Sequence, residues 1–221
     1  MSRAARASPR RPARPAQRRK LPRAERERQM LDTAAQVFGR RGYHAAAMDD
    51  IARACGVTKP MLYAYFQSKE GLYLATVDRM GRAVLSAVEE LLRQPDARQR
   101  LLRGAEVIMK FIDRDRHGWA VLFAEGLGEG PVARHVSNYR RRIVQLAALT
   151  LTETVPGYAP THAAEPYAVG MLGAGEALAR WWLARPKAPL GSVLEATRLM
   201  VSAVQAAYQQ AVRPATPGRV A

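Results

Sequence analysis

An essentially all-α fold of about nine helices is the architecture that this sequence predicts. Alanine, leucine and arginine dominate the 221 residues, and 48% of the residues are apolar, which is enough for a packed core. Segments rich in β-branched residues with the alternation typical of strands are missing. Instead, the chain divides into segments with helical spacing of apolar residues, separated by glycine and proline.

The first helix is predicted from Ala24, where a basic, proline-rich segment gives way to a helical pattern. Gly39 and Gly42 are expected to close this helix, as glycines often do at helix C-termini. The apolar residues recur at i, i+3, i+4 and i+7 and so share one face: Leu31, Ala34, Ala35 and Phe38.

Three further helices are expected before the first long break. The second spans 48–55, the third is capped by Thr58 and runs to Phe66, and the fourth is capped by Ser68 and runs toward Leu92. Five more helices follow, the last one started by a capping box of Ser192 and Glu195. Their predicted positions are 96–113, a short helix from His117 that carries Trp119 and Phe123, 131–154, 162–184 and 192–212.

The positive charge is concentrated near the N-terminus. The net charge is +16, and residues 1–22 carry eight basic side chains and no acidic one. Residues 23–70 add eight basic side chains against six acidic ones, so the first 70 residues hold +10 of the total. Such a surplus favours polyanionic partners, and its position beside the motif described below favours DNA over lipid. Residues 1–22 cannot bury enough apolar surface to fold and are expected to form a disordered basic arm.

Several classes of function are disfavoured by composition. Cys55 is the single cysteine, and the four histidines lack ligand spacing, so neither a disulfide framework, a metal site nor a cofactor is expected. No nucleophile and base stand at catalytic spacing, so the chain is not expected to be an enzyme. No apolar run reaches the roughly 18–20 residues of a membrane span, and no export signal is recognisable, so we expect a cytoplasmic protein without membrane contact.

The second and third helices, joined at Gly56, satisfy the geometry of a helix-turn-helix, in which the third helix enters the major groove of DNA. Leu62 and Phe66 lie four residues apart and are expected to face the core. The opposite arc presents Lys59, Pro60, Tyr63 and Ala64. Lys69, at the start of the fourth helix, is expected to contact a phosphate.

The run from Arg28 to Leu74 resembles the TetR family of transcriptional regulators. The resemblance rests on an ordered set of short motifs: Ala34-Ala35, Phe38, Gly42-Tyr43, Ile51-Ala52, Gly56-Val57, Leu62-Tyr63, Tyr65-Phe66 and Ser68-Lys69-Glu70. It implies a homodimer that binds a palindromic operator in double-stranded DNA and is released by a small-molecule effector, most often as a repressor. Its implied units are 23–70 for DNA binding and 71–213 for effector binding and dimerisation, followed by a frayed tail over 214–221.

The resemblance also implies roles for individual residues. The base edges are expected to face Lys59, Pro60, Met61 and Ala64, and the phosphates to contact Tyr63, Tyr65 and Lys69. Ala47 and Thr58, at the starts of the second and third helices, complete the predicted DNA-binding set. The effector pocket is expected to be lined by Phe111, Trp119, Phe123, Tyr139 and Tyr167. The last two helices are expected to form the dimer interface, where Gly170, Gly173 and Gly175 permit close helix approach ahead of Trp181-Trp182-Leu183.

Two departures from the family pattern are expected to weaken DNA binding. Ala46 and Ala47 stand where the family usually has a serine or threonine that caps the second helix and touches phosphate, a loss of roughly 1 kcal/mol in helix capping. Met61 and Ala64 make no bidentate hydrogen bonds to bases, so thymine methyl contacts or DNA shape are expected to carry more of the sequence reading.

Alternatives remain open from the sequence alone. The basic arm either enters the minor groove or adds only nonspecific attraction. Cys55 is either a redox sensor or, as we favour, a buried filler of the turn. The run Arg140 to Arg142 either attracts an acidic effector or, as we favour, forms a solvated helix face. For the whole chain, the alternative to an effector-controlled regulator is an effector-independent architectural DNA-binding protein.

Overall fold

The computed structural model describes residues 22–122, 130–155 and 161–212, and α-helices account for most of them. No strand occurs in these ranges, so the all-α prediction is confirmed. Apart from Pro22, the predicted basic arm lies outside the described residues, as does the predicted tail over 214–221. The helices of the described part are α1 (Arg23–Ala45), α2 (Met48–Cys55), α3 (Lys59–Phe66), α4 (Lys69–Leu91), α5 (Ala97–Arg114), α6 (Arg116–Leu122), α7 (Pro131–Glu153), α8 (Thr161–Leu183) and α9 (Leu190–Val212).

The first three helices pack around a small apolar core. Phe38 of α1, Ile51 of α2 and Leu62 of α3 are almost fully buried and belong to one cluster. Helix α4 contributes Leu72 and Tyr73, both fully buried, from its first turns. Because α4 continues for 23 residues, it carries this core into the second half of the molecule.

The prediction that the first helix closes at its glycines is confirmed at Gly42 and wrong at Gly39. Regular helix is interrupted at Gly42, whose backbone is non-helical with φ 74° in the left-handed region, and a short helical segment after this kink reaches Ala45. Gly39 stays inside the helix for a different reason, because α6 passes directly over it. A Cβ atom at Gly39 would lie 2.1 Å from the carbonyl oxygen of His117, so only glycine permits this approach.

The second half is a bundle of α5, α7, α8 and α9. Leu101, Leu151, Ala168, Val201 and Tyr208 form its buried centre, one or more from each helix. This arrangement follows from the apolar stripe that each helix presents to the others.

Helix α9 begins at Leu190, directly after Pro189, so the prediction that Ser192 caps it was wrong. Ser192 lies inside the first turn instead. Proline fixes its own φ and ends the preceding turn, which explains the earlier start of the helix.

Helix α6 joins the two halves. Its Val121 carbonyl accepts a hydrogen bond of 2.9 Å from the hydroxyl of Tyr73. The Tyr73 ring packs edge-on against Phe38, with ring centroids 4.8 Å apart, and burial raises the pKa of Tyr73 to about 12. We call this contact of α1, α4 and α6 the junction.

Candidate DNA-binding surface and effector cavity

The recognition helix α3 is set by the turn that precedes it. Gly56 ends α2 in the left-handed conformation, with φ 65° and ψ 31°, and the N–H of Val57 donates to the carbonyl of Ala52 at 3.0 Å. The Thr58 hydroxyl then accepts from the N–H of Met61 at 3.4 Å and caps α3, as predicted. Thr58 therefore fixes where the recognition helix begins.

The buried face of α3 orients its outer face. Leu62 is fully buried, as its spacing predicts, and leaves the predicted arc outside. Met61 is half-buried and packs against the core, so it presents less of its side chain than the neighbouring positions. The residues on the exposed arc are Lys59, Pro60, Tyr63 and Ala64, and the Tyr63 side chain is 39% exposed.

The two lysine side chains of this surface, Lys59 and Lys69, each contact other groups of the protein. Lys59 Nζ lies 2.9 Å from an Asp49 carboxylate oxygen, and this hydrogen bond raises the pKa of Lys59. Lys69 Nζ donates to the His44 carbonyl at 3.0 Å and lies 4.8 Å from the centroid of the Tyr43 ring. Both lysine side chains are therefore held in place by neighbouring protein groups.

Tyr65 is a predicted phosphate contact, whereas Ala47 stands where the family's usual phosphate contact is missing. The half-buried Tyr65 lies under the Arg23 guanidinium, whose Cζ is 5.2 Å from the ring centroid. Ala47 is the N-cap of α2 in an extended conformation, and no side chain caps that helix. The structure therefore confirms that α2 lacks a side-chain cap, as the sequence indicated.

Cys55 sits half-buried behind the turn. Its Sγ lies 3.8 Å from the Met30 carbonyl oxygen, and burial raises the pKa of the thiol. A thiol with a raised pKa forms little of the reactive thiolate. These observations support the core-filler interpretation over redox sensing.

A cavity of about 100 Å³ lies between α4, α5, α7, α8 and α9, with Trp119 of α6 at one end. Its wall follows α5 from Arg100 to Ile112, which corresponds to about 18 Å of helix. The cavity is therefore elongated along α5. The wall is apolar except for Arg100, Thr150, Glu176 and Thr197.

The aromatic residues predicted for the pocket are distributed over several places. Trp119 lines the cavity, whereas Phe123 lies outside the described residues. Phe111 packs against the core near the junction, and Tyr167 stacks edge-on against Tyr208 with ring centroids 5.4 Å apart. Tyr139 covers Gly81 and donates a 2.6 Å hydrogen bond to Asp78. Phe111, Tyr139 and Tyr167 are thus absent from the described lining.

Glu176 is the acidic group in the cavity wall. It is 4% exposed, and one of its carboxylate oxygens accepts from Arg140 Nη2 at 2.7 Å. Burial raises the pKa of Glu176, against the opposing effect of the positive charges on Arg140 and Arg180. Arg140, placed on a solvated face by the sequence argument, is half-exposed and pairs with this buried acid.

A second cluster of polar groups connects α4 to α7. Asp78 receives hydrogen bonds from Tyr139 and from His135 Nε2, the latter at 2.9 Å. Burial raises the pKa of Asp78, but these bonds and the charge on Arg82 outweigh it, so the pKa lies below its ordinary value. This cluster fixes α7 against α4 outside the cavity.

None of the described helices has the length and hydropathy needed to cross a membrane. Within the same ranges, no group of three or more His, Cys, Asp or Glu side chains is arranged to hold a metal ion.

Comparison with known proteins agrees with this architecture. A family model for bacterial regulatory proteins of the tetR family matches residues 30–76. A second model, for the tetracyclin repressor-like C-terminal domain, matches residues 97–208, which is half of the chain. The chain belongs to the TetR family of transcriptional regulators. Members of this family are regulators and not enzymes, in agreement with the sequence argument.

Individual relatives extend the match beyond the DNA-binding helices. The transcriptional activator FasR of Mycolicibacterium smegmatis is 38% identical over 165 residues, covering 74% of this chain and 75% of FasR. A TetR-like regulator from Rhodococcus sp. RHA1 has a TM-score of 0.72 at 31% identity, over 85% of this chain and 99% of the other. The fatty acid degradation regulator FadR from Bacillus halodurans shares the fold, with a TM-score of 0.66 at 21% identity over 84% and 99% of the two chains.

Sequence reasoning missed the polar residues of the cavity in this TetR-family chain. Glu176 is the single acid between Glu165 and the end of α8, within a segment of small and apolar residues. That isolation was a usable signal, because a charge on an otherwise apolar helix face is seldom buried without a role. Arg100 carries no comparable signal, because α5 begins with several arginines.

Proposed function

We propose that this chain is a homodimeric repressor that binds a palindromic operator and is released when an elongated apolar effector enters the cavity. One observation carries the proposal, namely that a single short helix touches both the cavity and the first helix of the DNA-binding half. Trp119 of α6 lines the cavity, and His117, two residues earlier, contacts Gly39 of the DNA-binding half. Displacement of α6 by an effector would therefore act directly on α1.

The contact surface for DNA is the exposed arc of α3 together with the start of α4. Lys59 contacts a base edge or a phosphate, Tyr63 a phosphate, and the N-terminus of α4 supplies backbone N–H groups beside Lys69. The Ser68 hydroxyl accepts from the N–H of Gly71 at 2.9 Å and holds that N-terminus in shape. Because Ala64 offers no hydrogen bond, DNA shape contributes to the sequence preference.

The dimer interface is the outer face of α8 and α9. This face exposes Val169, Trp181 and Leu199 at 53%, 47% and 67%. A Cβ atom added at Gly170 or Gly173 would meet nothing within 4 Å, so the space beside α8 is open to another helix. Exposed apolar groups around small residues favour helix packing by a second copy of the chain, with the two-fold symmetry that a palindrome requires.

The effector is a chain-like apolar molecule, of which a fatty acyl compound is the simplest example. An elongated cavity with an apolar wall suits a flexible hydrocarbon chain. Operator DNA and acyl metabolites both lie in the bacterial cytoplasm, which is the location that we propose.

DNA binding is tested by selecting bound sequences from random DNA with the full chain, followed by footprinting. A palindromic footprint with a steep sequence preference supports the proposal. A footprint without sequence preference, and without any response to effectors, would support the architectural alternative.

The contribution of Lys59 is measured with Lys59→Ala against Arg103→Ala, which removes the same charge from α5. If Lys59 contacts a phosphate, the slope of log K against log salt falls by about 0.9. If it contacts a base edge, affinity falls by about 1–3 kcal/mol and specificity relaxes at one position. Equal effects of the two substitutions would contradict placement of α3 in the groove.

Effector release is tested with fatty acids and acyl-coenzyme A compounds of increasing length. Gly104 is buried in the cavity wall, and an added Cβ would have its nearest neighbour, a Leu91 methyl, at 4.0 Å. Gly104→Leu should therefore fill the cavity, keep operator binding and lose release. Gly104→Ala is the matched control and should respond like the natural chain. Release that survives in the folded Gly104→Leu protein would place the effector elsewhere.

The direction of regulation needs a separate measurement. We propose repression, although the relative FasR is named as an activator. Both outcomes are compatible with ligand-induced release, because the position of an operator relative to its promoter determines the effect of binding. Deletion of the gene should raise transcription next to the selected operator if the protein is a repressor. A fall in transcription would instead make it an activator.

A further inference from the structure

The cavity wall contains two buried polar atoms that have no hydrogen-bond partner among the described residues. They are Arg100 Nε and Glu176 Oε1. The two threonines of the same wall are satisfied, because Thr150 donates to Leu146 and Thr197 to Val193, each at 2.7 Å. Buried polar atoms in folded proteins are nearly always paired, so these two atoms point to an additional partner.

One of the two atoms requires a hydrogen-bond donor and the other a hydrogen-bond acceptor. The second oxygen of Glu176 accepts from Arg140 Nη2 at 2.7 Å, an arrangement that suits an ionised carboxylate, so Oε1 is an acceptor that needs a donor. Arg100 Nη1 donates to the Leu92 carbonyl at 3.2 Å, and Nη2 pairs with Glu153. The Nε–H of Arg100 is a donor that needs an acceptor.

The two atoms also lie at different levels of the cavity. Arg100 is in the first turns of α5, whereas Gly175, the neighbour of Glu176, faces Met109 with 4.0 Å between the Met109 methyl and a Cβ built on the glycine. Nine residues of helix separate Arg100 from Met109, which corresponds to about 13 Å. The wall between these levels is formed mainly by apolar groups.

We propose that the effector is an elongated amphipathic molecule that presents a hydrogen-bond acceptor to Arg100 and, farther along an apolar chain, a hydrogen-bond donor to Glu176. A carboxylate or acyl carbonyl is the acceptor, and a hydroxyl or amide N–H is the donor. This inference rests on the proposed function, because it specifies the chemistry of the effector that the function requires.

The test on the natural full-length chain compares matched ligands by calorimetry. Decanoic acid has the acceptor alone, 10-hydroxydecanoic acid adds an O–H donor, and the monoamide of decanedioic acid adds an N–H donor. The series is repeated for chains of 8 to 14 carbons. At the best length, a donor-bearing acid should bind at least about tenfold more tightly than its plain counterpart. Whichever of the hydroxy acid and the monoamide binds more tightly shows whether Glu176 prefers an O–H or an N–H donor.

Substitutions then assign the preference to its residues. Glu176→Leu should reduce the preference for the donor-bearing chain to less than about twofold, because a hydroxyl would be buried against apolar groups. Thr197→Val is the matched control, because it removes a polar group of the same wall that already has a partner, and the preference should remain. Arg100→Leu should weaken the binding of both acids and leave the ratio of their affinities unchanged.

Each outcome supports or overturns the inference. If plain and donor-bearing chains bind the natural protein equally at every length, the inference is wrong, whether or not any substituted protein folds. A preference that persists in Glu176→Leu would also overturn it. If no acyl chain binds or releases DNA, the proposed effector class fails and this inference fails with it. That result is distinguishable from equal binding of plain and donor-bearing chains.

Discussion

The junction and the effector cavity are both buried among helices, but they satisfy their groups in different ways. At the junction, the Tyr73 hydroxyl has its partner in Val121, and α6 touches Gly39 without space for a methyl group. In the cavity, Glu176 and Arg100 each retain an unpaired atom, and space remains beside Gly104. A tightly packed contact transmits displacement, whereas a loosely packed one accepts a ligand. This contrast is what the proposed effector response requires of α6, which contacts Gly39 at the junction and lines the cavity with Trp119.

The largest expected effect comes from adding one methyl group to each region. Gly39→Ala places a Cβ against the backbone of His117, which cannot move without shifting α6, so we expect a loss of about 1–3 kcal/mol in the free energy of unfolding. Gly104→Ala meets no close neighbour and should gain up to about 1 kcal/mol from helix propensity. Denaturant unfolding of the two proteins measures both values. If both substitutions changed the free energy of unfolding in the same direction, the junction and the cavity would not differ in packing as described.

A second pair removes one hydroxyl from each half of the molecule. Tyr73→Phe loses the 2.9 Å hydrogen bond to Val121 and leaves a buried carbonyl, so the free energy of unfolding should fall by about 1–2 kcal/mol. Tyr208, in the bundle beside the cavity, is fully buried, and its hydroxyl has no hydrogen-bond partner among the described residues. Tyr208→Phe should therefore be neutral or slightly stabilising. Equal losses in thermal unfolding of the two proteins would show that Tyr208 is satisfied in solution.

The pH dependence of stability provides a smaller test of the cavity. Since the folded-state pKa of Glu176 is raised by burial, its stabilising contribution is complete below the ordinary pKa near 4.5 and is lost as pH rises through the folded pKa. Glu176→Gln removes this titration. The substituted protein should therefore gain stability relative to the natural chain as pH increases from 4 to 8. Parallel stability curves over that interval would show that the carboxyl is not perturbed.

The smallest expected effect extends the comparison to the candidate DNA-binding surface, where no side chain caps the start of α2. Ala47 is the N-cap and offers no side-chain acceptor, whereas Thr58 caps α3. Ala47→Ser should raise the free energy of unfolding by about 0.5–1 kcal/mol and tighten operator binding by adding a phosphate contact. Ala45→Ser, two residues earlier within the exposed end of α1, is the control and should produce neither gain.

The sequence predicted local structure well where short-range chemistry determines it. The bounds of α2 and α3 are those expected, because Gly56 and Thr58 act on residues adjacent in the chain. Gly39 was misread as a helix end, because its role depends on α6, nearly 80 residues away. The start of α9 was misplaced because two local signals, Pro189 and Ser192, competed.

The cavity was the least predictable part. Aromatic residues were expected to form it, yet its wall is mainly aliphatic, and only Trp119 of the predicted set lies in the described lining. Which face of a helix turns toward a cavity depends on how all the surrounding helices pack, and spacing within one helix does not contain that information. The pairing of Glu176 depends on Arg140, which lies on another helix, so it could not be predicted from the sequence around Glu176.

Reciprocal binding is the most direct test of coupling between the two regions. If an acyl effector lowers affinity for the operator by a given factor, the operator must lower affinity for that effector by the same factor. Calorimetric titration of the effector into the free chain and into the chain saturated with operator measures this factor. We expect weaker binding in the second titration, by the factor found for operator release. Equal effector affinity in the two titrations would contradict the account, because the cavity and the DNA-binding surface would then be independent.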